Sequence, residues 1–298
     1  PLLYGQYTER PPEDILDEIE ALTQHGARYF RLGRAANILA YGYSIHDTQC
    51  VYLEKLYSGI RKLCPSLSML HTDNANPGFI QQFPFISEKG IEIISTYNTP
   101  GDCLSFGVES FDENVIKHNN LSIEPEAIIE ACSTVNHIGG FLKEGIPALL
   151  PGINLLFGLI SETPNTYDIN FDYLKRLLDR KILLRRINIR KAMVFPDTPL
   201  YYYSKKKKLK TYPKEFRKFK EKVREEIDKP MLKMVFPYGT LIKDVIIEYN
   251  KGNISFGRKL GTYAILIGIR QKIQPLSIVN VRITDHGYRS ITGVLDNG

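Results

Sequence analysis

Apolar positions in the first two-thirds of the chain alternate between helical and extended spacing. Ile15, Ile19 and Leu22, for example, recur at helical spacing before Gly26. The same criterion predicts helices over 11–26, 48–63, 78–95, 125–138 and 166–181. Short apolar runs predict strands over 27–32, 67–71, 103–108, 153–159 and 186–194. Each strand follows a helix, which predicts an α/β fold with a parallel sheet and right-handed crossovers.

The predicted series begins with a helix and lacks the strand that should precede it. Restoring that strand would give six βα units. Six are too few for a complete eight-fold barrel and fit an open, partial (β/α)6 TIM-like barrel, with a doubly wound open sheet as the alternative.

The pattern changes near Thr240, where apolar and polar positions alternate between Gly and Pro turns. This predicts a small all-β module of about five strands. The predicted organisation is a partial barrel over 1–200, a basic linker with an amphipathic helix over 201–235, and a β-barrel over 236–298. The polar composition of residues 201–213 predicts a connection between the two parts. The amphipathic helix is predicted from the apolar stripe of Phe216, Phe219, Val223 and Ile227.

Composition narrows the class of protein. Of 298 residues, 43% are apolar and 24% are charged, which is typical of a globular chain with a sizeable core. No apolar run reaches the roughly 20 residues that cross a bilayer, and Pro1 to Arg10 lacks the pattern of a secretory leader. The expectation is a soluble, cytoplasmic protein without a membrane partner. The four cysteines are too sparse for a disulfide framework and read as buried thiols.

Charge is distributed unevenly. Residues 1–200 hold 18 Lys and Arg against 24 Asp and Glu, a net charge of −6. Residues 201–235 carry +8 and residues 236–298 carry +4. This asymmetry favours an acidic partner near the C-terminal third, with nucleic acid as the first candidate and simple solvation as the alternative. The run Lys205 to Lys208, beside Tyr201 to Tyr203, has the same two interpretations: contact with nucleic acid, or a solvated loop.

Polar residues gather where the predicted strands end, the position at which parallel α/β sheets place their chemistry. Glu109 follows a buried strand and could accept two hydrogen bonds from a ribose diol, or could cap the next helix. Asp73 with Asn74 and Asn76 suits a polar ligand, or an Asx turn before Pro77.

Apolar and basic residues at other strand ends also allow two interpretations. Leu156 and Phe157 could form the wall of a slot for a purine, although buried strand residues are usually core. Arg31, Arg34 and Arg190 could hold a carboxylate or phosphate, or form ion pairs. We favour the ion pair for Arg31.

Several stretches together resemble strands of radical S-adenosylmethionine (SAM) enzymes. They are Leu104 to Asp112, Pro151 to Leu159 with Glu162 and Thr163, and Val194 to Leu200. Leu70 to Pro77, Arg186 to Arg190 and Lys222 to Met231 are similar to an archaeal group of these Fe-S oxidoreductases. This resemblance covers essentially the whole chain.

The C-terminal part resembles a second family. Phe256 to Arg258, Val279 to Ile283 and Ser290 to Gly293 look like a TRAM-type β-barrel, the RNA-binding module of tRNA methylthiotransferases. Leu32 to Asn37, followed by Tyr41 and Gly42, is similar to a stretch after the second strand of those enzymes.

The first resemblance implies a four-iron four-sulfur (4Fe-4S) cluster. In the family, three cysteines of a C-x3-C-x2-C loop bind the cluster, SAM chelates its unique iron, and an electron donor reduces it. That loop is absent from these residues, and Pro1 to Arg10 corresponds to the segment that follows it. The expectation is therefore a fragment that begins past the motif and is inactive alone; a homologue without the chemistry is the alternative.

The resemblance also implies roles for residues of this chain in an enzyme that forms a 5′-deoxyadenosyl radical from SAM. It places Gly33 and Arg34 near the methionyl part of SAM, Glu109 near the ribose, and Leu156, Phe157 and Gly158 near the adenine. Asp73, Asn76 and Arg190 are candidates for polar contacts with SAM or substrate. No catalytic residue and no metal ligand is assigned.

The substrate stays open at this point. The TRAM-like module and the basic C-terminal third favour RNA, tRNA in particular. One alternative is an oxidoreductase that acts on a small molecule or a peptide, with the β-module as a lid. Another is a catalytically silent RNA-binding protein.

Overall fold

Parallel strands connected by helices form the first part of the molecule. The computed structural model describes residues 8–121 and 123–296. Up to residue 191 the strands are β1 (Tyr29–Arg31), β2 (Met69–His71), β3 (Asn74–Ala75), β4 (Asp102–Glu109), β5 (Leu142–Lys143), β6 (Ile146–Pro147), β7 (Leu149–Phe157) and β8 (Arg186–Lys191). The helices of this part are α1 (Pro12–Gln24), α2 (Val51–Leu63), α3 (Pro77–Gln82), α4 (Pro84–Tyr97), α5 (Glu113–His118), α6 (Pro125–Gly139) and α7 (Pro164–Asp179). The predicted α/β alternation is confirmed.

Neighbouring strands in space follow their order along the chain. β1 pairs with β2, and β3, β4, β7 and β8 form a sheet in that order, with every pair parallel. The segments β2 and β3 are separated at Thr72, whose N–H donates to the carboxylate of Asp102. The exception to the parallel pattern is the small antiparallel hairpin of β5 and β6.

Some predicted boundaries were wrong for identifiable reasons. The helix predicted over 78–95 is two helices, because Pro84 has no N–H to continue α3 and instead starts α4. The segment predicted as a polar connection contains helix α8 (Pro199–Lys206), which begins where the Thr198 side chain accepts from the N–H of Tyr201. Most of the N-terminal segment expected to follow a cluster motif, residues 1–7, lies outside the described residues.

The predicted amphipathic helix is present as a continuous helical segment. It consists of α9 (Pro213–Val223), a π-helical turn at Arg224–Asp228 and α10 (Lys229–Val235). Phe219, Val223 and Ile227 are buried in the main core, and Phe216 packs against it. The opposite faces carry lysines, so this helix covers one flank of the sheet and stays basic outside.

A closed five-stranded β-barrel completes the chain, as predicted. Its strands are β9 (Leu241–Lys251), β10 (Ile254–Lys259), β11 (Leu266–Ile269), β12 (Ile278–His286) and β13 (Ser290–Leu295), in the order β10-β11-β13-β12-β9. Val245, Ile247, Val281 and Ile283 fill its interior. Its core continues into Leu150 and other residues of the first part, so the two cores adjoin.

The barrel packs at the amino ends of β4, β7 and β8 and contacts the last residue of β2. A cavity between the two parts is lined by Gly101 before β4, Ile146 before β7 and Arg185 before β8, together with barrel residues 259–267. The N–H of Thr262 donates to Nδ1 of His71 at 2.8 Å. The opposite, carboxyl ends of β4, β7 and β8 are thus not covered by the barrel. Among the described residues, no helix has both the length and the apolar character needed to cross a bilayer.

Candidate functional site

The residues predicted from strand ends lie along one edge of the parallel sheet. We call this edge the carboxyl rim and define it as residues 31–34, 73–76, 107–109, 156–158 and 190–191. Residues 73–76 follow β2 and include β3, and the other segments end or follow β1, β4, β7 and β8. Parallel strands place all their carboxyl ends on the same side. The fold therefore brings the candidate segments to one edge, although their side chains make different contacts there.

Asp73 connects the first two segments of the rim. Its Oδ1 lies 2.6 Å from a guanidinium nitrogen of Arg31, and its Oδ2 accepts from the N–H of Arg34 at 3.3 Å. Arg31 is thus in the ion pair that we favoured for it. Gly33 lies beside the same carboxylate, and the Arg34 backbone is left-handed, with φ 65°. The Asp73 carboxylate holds this loop in place.

Asn76 has a structural partner and also borders a cavity. Its Oδ1 accepts from the N–H of Gly78 at 2.8 Å and caps α3, while its own N–H donates to Oδ1 of Asn37. The Asx turn expected before Pro77 is therefore formed by Asn76. Asn76 also borders a cavity of about 230 Å³. Its other lining residues include Ala36, Gly107, Val108, Asn120, Leu121 and Ile123.

Glu109 is held in an unusual backbone conformation at the end of β4. The register of β4 against β7 shifts between Gly107 and Glu109, and Glu109 has φ 62°, in the left-handed region. Such conformations cost free energy and are common at functional sites. A side chain at Gly107 would place its Cβ 3.3 Å from Oε1 of Glu109, so the carboxylate lies over this glycine. The helix cap is made instead by Asp112, which accepts from Asn114.

The Glu109 carboxylate is half-buried and has no hydrogen-bond donor within residues 8–121 and 123–296. Burial raises its pKa, and the positive charge of Arg190 opposes this rise. Leu156 is paired with Arg190 across β7 and β8, at about the level of Glu109 in the sheet. The register pairs Glu109 with Leu155, so Leu156 lies on the strand between Glu109 and Arg190, and the Arg190 cation acts electrostatically on the Glu109 carboxylate.

Phe157 and Gly158 have other roles than Leu156. Phe157 is buried and stacks on Tyr167 with ring centroids 4.7 Å apart, because consecutive strand residues face opposite sides of a sheet. Gly158, at φ 90°, donates its N–H to Oε2 of Glu162 at 2.5 Å. The structure does not bring the Phe157 ring to the face that carries Leu156.

One polar contact, made by residues in the middle of β4 and β8, was not predicted from the sequence. The hydroxyl of Tyr263, from the barrel, lies 3.2 Å from Oγ of Ser105 and accepts from Nδ2 of Asn188 at 3.0 Å. Arg185 donates to the carbonyl of Tyr263 at 3.0 Å and to that of Gly101. Ser105 and Asn188 are polar residues at buried strand positions, which was the available indication that this face meets something polar.

The four cysteines do not form a metal site. Cys50, Cys64, Cys103 and Cys132 are all buried and free, as predicted. Burial raises the pKa of Cys50 to about 11 and that of Cys103 to about 12, which disfavours the thiolates that bind iron. In the described part of the chain no three His, Cys, Asp or Glu residues are grouped to hold a metal ion. The described residues, with their buried thiols, do not fit an iron-sulfur cluster.

The fold and the rim define an α/β protein whose parallel sheet carries, at its carboxyl edge, a half-buried carboxylate without a donor from the described residues. No protein-family model matches the chain. It is 43% identical over 302 residues to an uncharacterized protein of Methanocaldococcus jannaschii, covering 98% of this chain and 55% of the relative. It is 40% identical over 291 residues to an uncharacterized protein of Archaeoglobus fulgidus, covering 96% and 54%. The chain spans about half the length of these curated relatives.

Solved structures give weaker similarities. Coproporphyrinogen III oxidase (HemN) of Escherichia coli, a radical SAM enzyme, aligns with a TM-score of 0.45 and 15% identity over 76% of this chain and 46% of that one. Methanocaldococcus infernus Elp3, with its N-terminus deleted, aligns with a TM-score of 0.43 and 12% identity over 93% of this chain and 74% of that one. TM-scores below 0.5 do not establish a shared fold.

Proposed function

We propose that this chain is the SAM-binding core of a radical SAM enzyme, built on a partial (β/α)6 barrel, and that the enzyme modifies RNA. The observation that carries the proposal is the Glu109 carboxylate. It is half-buried at the carboxyl rim, lies over Gly107, and has no donor from the described chain. A carboxylate in this state gains hydrogen bonds when a ligand brings a pair of hydroxyls, as the ribose of SAM does.

Other rim residues support a nucleoside with a charged tail. Leu156 offers an apolar surface next to Arg190 in the sheet, and Arg190 is in electrostatic reach of the Glu109 carboxylate. Gly33 and Arg34 lie in the loop that Asp73 holds, which is where the proposal puts the methionyl group. Binding at the rim would orient the nucleoside between the ends of three strands.

The iron-sulfur cluster enters the proposal from outside these residues. When bound together, SAM and such a cluster supply the chemistry of hydrogen-atom abstraction. The buried cysteines of this chain do not fit the cluster, so we propose that its ligands belong to another part of the full protein. These 298 residues would then contribute the binding and orientation of the nucleoside and the substrate.

RNA is favoured over a small molecule by the charge and by the position of the barrel. The basic residues of the last third suit a polyanion, and a TRAM-like β-barrel is proposed for 236–298. The alternative, an oxidoreductase that acts on a small molecule or a peptide, requires this barrel to serve as a lid. The barrel packs at the amino ends of β4, β7 and β8, so it does not cover the rim.

A nucleoside titration of this chain tests the Glu109 assignment without a cluster. Ligand-observed NMR compares adenosine with 2′,3′-dideoxyadenosine, and we expect adenosine to bind at least about ten-fold more tightly, because hydrogen bonds to a carboxylate are strong. Glu109→Gln, which loses the negative charge and keeps one neutral acceptor, should reduce this preference several-fold. Glu113→Gln, which changes an exposed carboxylate a few residues away, should keep it. Equal binding of both nucleosides by the unmodified chain would refute the assignment.

A further inference from the structure

A basic cleft lies beside the carboxyl rim, between the turn after β7 and the segment that joins α8 to α9. Its volume is about 470 Å³. One wall is formed by residues 159–163, and the other by Lys207, Lys208 and Lys210 with Tyr203 and Tyr212. We call this the lysine cleft. It extends the rim outward, because residue 159 directly follows the rim segment that ends at Gly158.

The positive charge of the lysine cleft is not neutralised by the protein. Across residues 8–121 and 123–296, none of the five lysines from 205 to 210 takes part in an ion pair; Lys205 lies over the ring of Tyr201. The one carboxylate in the wall, Glu162, is buried and accepts from Gly158, Leu159 and Tyr167. The cleft therefore presents free ammonium groups to a ligand.

Aromatic rings accompany these lysines. Tyr203 and Tyr212 line the cleft, and Tyr202 on the same helix is exposed. Sites for single-stranded nucleic acid combine a basic groove for the backbone with aromatic rings on which bases stack. A site for a lone phosphate would instead converge on a few donors, so the spread of lysines along a chain segment favours a polymer.

The position of the lysine cleft separates it from the β-barrel. The cleft borders the carboxyl end of β7, whereas the barrel packs at the amino ends of β4, β7 and β8. β7 has nine residues, so at about 3.3 Å per residue these two ends are roughly 25 Å apart. An RNA held only by the barrel would lie at the wrong end of the sheet for the rim.

We propose that the lysine cleft binds single-stranded RNA, with the phosphodiester backbone on Lys207, Lys208 and Lys210 and a base on Tyr203. The cleft, rather than the TRAM-like barrel, presents the RNA to the carboxyl rim. This inference rests on the RNA substrate of the proposed function. It assigns the recognition to one surface, which can be tested separately from SAM binding.

The test compares two triple variants of the full chain that remove the same charge. One is Lys207→Ala, Lys208→Ala, Lys210→Ala; the other is Lys243→Ala, Lys251→Ala, Lys272→Ala, three exposed lysines of the barrel. Filter binding to a 20-nucleotide single-stranded RNA is measured from 50 to 300 mM salt. At 0.1 M salt each phosphate contact is worth roughly five-fold, so the cleft variant should bind on the order of 100-fold more weakly, with a salt slope shallower by about 2. The barrel variant should change affinity less than three-fold.

A third variant separates stacking from charge. Tyr203→Ala should weaken RNA binding about ten-fold and leave the salt slope unchanged, because a base contact neutralises no phosphate, and Tyr203→Phe should bind normally. Helix α8 buries none of its side chains, so these substitutions leave the core intact. Circular dichroism confirms folding of each variant.

Several results would overturn the inference. One is a barrel variant that loses as much affinity as the cleft variant, and another is a cleft variant that binds RNA like the unmodified chain. Binding of phosphatidylserine vesicles or a phosphoserine peptide through the same lysines, with no RNA binding, would assign the cleft to a different partner. Adenosine titrations on the same proteins tell the two proposals apart, since loss of the Glu109-dependent preference refutes SAM binding whether or not RNA binds.

Discussion

Strand β4 carries a carboxylate at each end, and the two are in opposite states. Asp102, at the amino end, is fully buried and accepts hydrogen bonds from the N–H of Thr72 at 3.0 Å, the N–H of Cys103 at 2.7 Å and the amide of Asn98. Glu109, at the carboxyl end, has no such donor in the described residues. A buried carboxylate supplied with donors stabilises the fold, whereas one left without them is available to a ligand.

Other polar and charged groups of the two regions also differ in their partners. Where the barrel meets the sheet, Thr262 of the barrel donates to His71, the last residue of β2, and Arg185, before β8, donates to the carbonyls of Gly101 and Tyr263. At the carboxyl ends, Arg190 is exposed and the lysine cleft carries free ammonium groups. Asp102 receives its donors from the protein, whereas Glu109 receives none from the described residues, which is why we place the function at the carboxyl rim.

The largest expected effect comes from removing the Asp102 carboxylate, to which the protein itself donates hydrogen bonds. Asp102→Ala would leave the Thr72 and Cys103 N–H groups and the Asn98 amide without their acceptor. Each unsatisfied buried group costs about 1–3 kcal/mol, so the free energy of unfolding should fall by about 3 kcal/mol or more. Urea denaturation measures this loss. The matched change Glu109→Ala should lower stability by less than about 1 kcal/mol, and equal losses at both ends would break the comparison.

A smaller effect is expected from pH at His71, where the barrel contacts the sheet. Burial lowers the pKa of His71, Arg185 and Lys259 lower it further, and Asp102 acts against them. Between that lowered pKa and the ordinary value of 6.5, the unfolded chain holds more protons than the native state. This contribution to stability is therefore present above pH 6.5 and is lost as pH falls below it, by up to about 1.4 kcal/mol per unit.

His71→Gln isolates this contribution, because an amide oxygen can still accept from Thr262 and does not titrate. The free energy of unfolding, measured in urea at pH 7.5 and 5.5, should fall less in the variant than in the unmodified protein. The same pH dependence in both proteins would assign the effect to other groups.

The strands and the rim residues were predictable because both depend on local pattern. Apolar runs place β4 and β7, and Glu109 follows the first of them directly. The contact of Thr262 with His71 joins residues 191 positions apart, which no local pattern encodes. The side that Phe157 faces also depends on the exact register of β7, since a shift of one residue would exchange it with Leu156.

The smallest expected effect is that of the Glu109 carboxylate on the stability of the protein. Burial raises the pKa of Glu109, so the native state holds the proton more tightly than the unfolded chain, and the ionised group lowers stability once pH rises through the folded pKa. Glu109→Gln should therefore be as stable as the unmodified protein near pH 4.5 and slightly more stable, by less than about 1 kcal/mol, at pH 7. Urea midpoints at the two pH values measure this difference. A clearly less stable variant at pH 7 would mean that the protein itself supplies donors to Glu109, and the contrast between the two ends of β4 would fail.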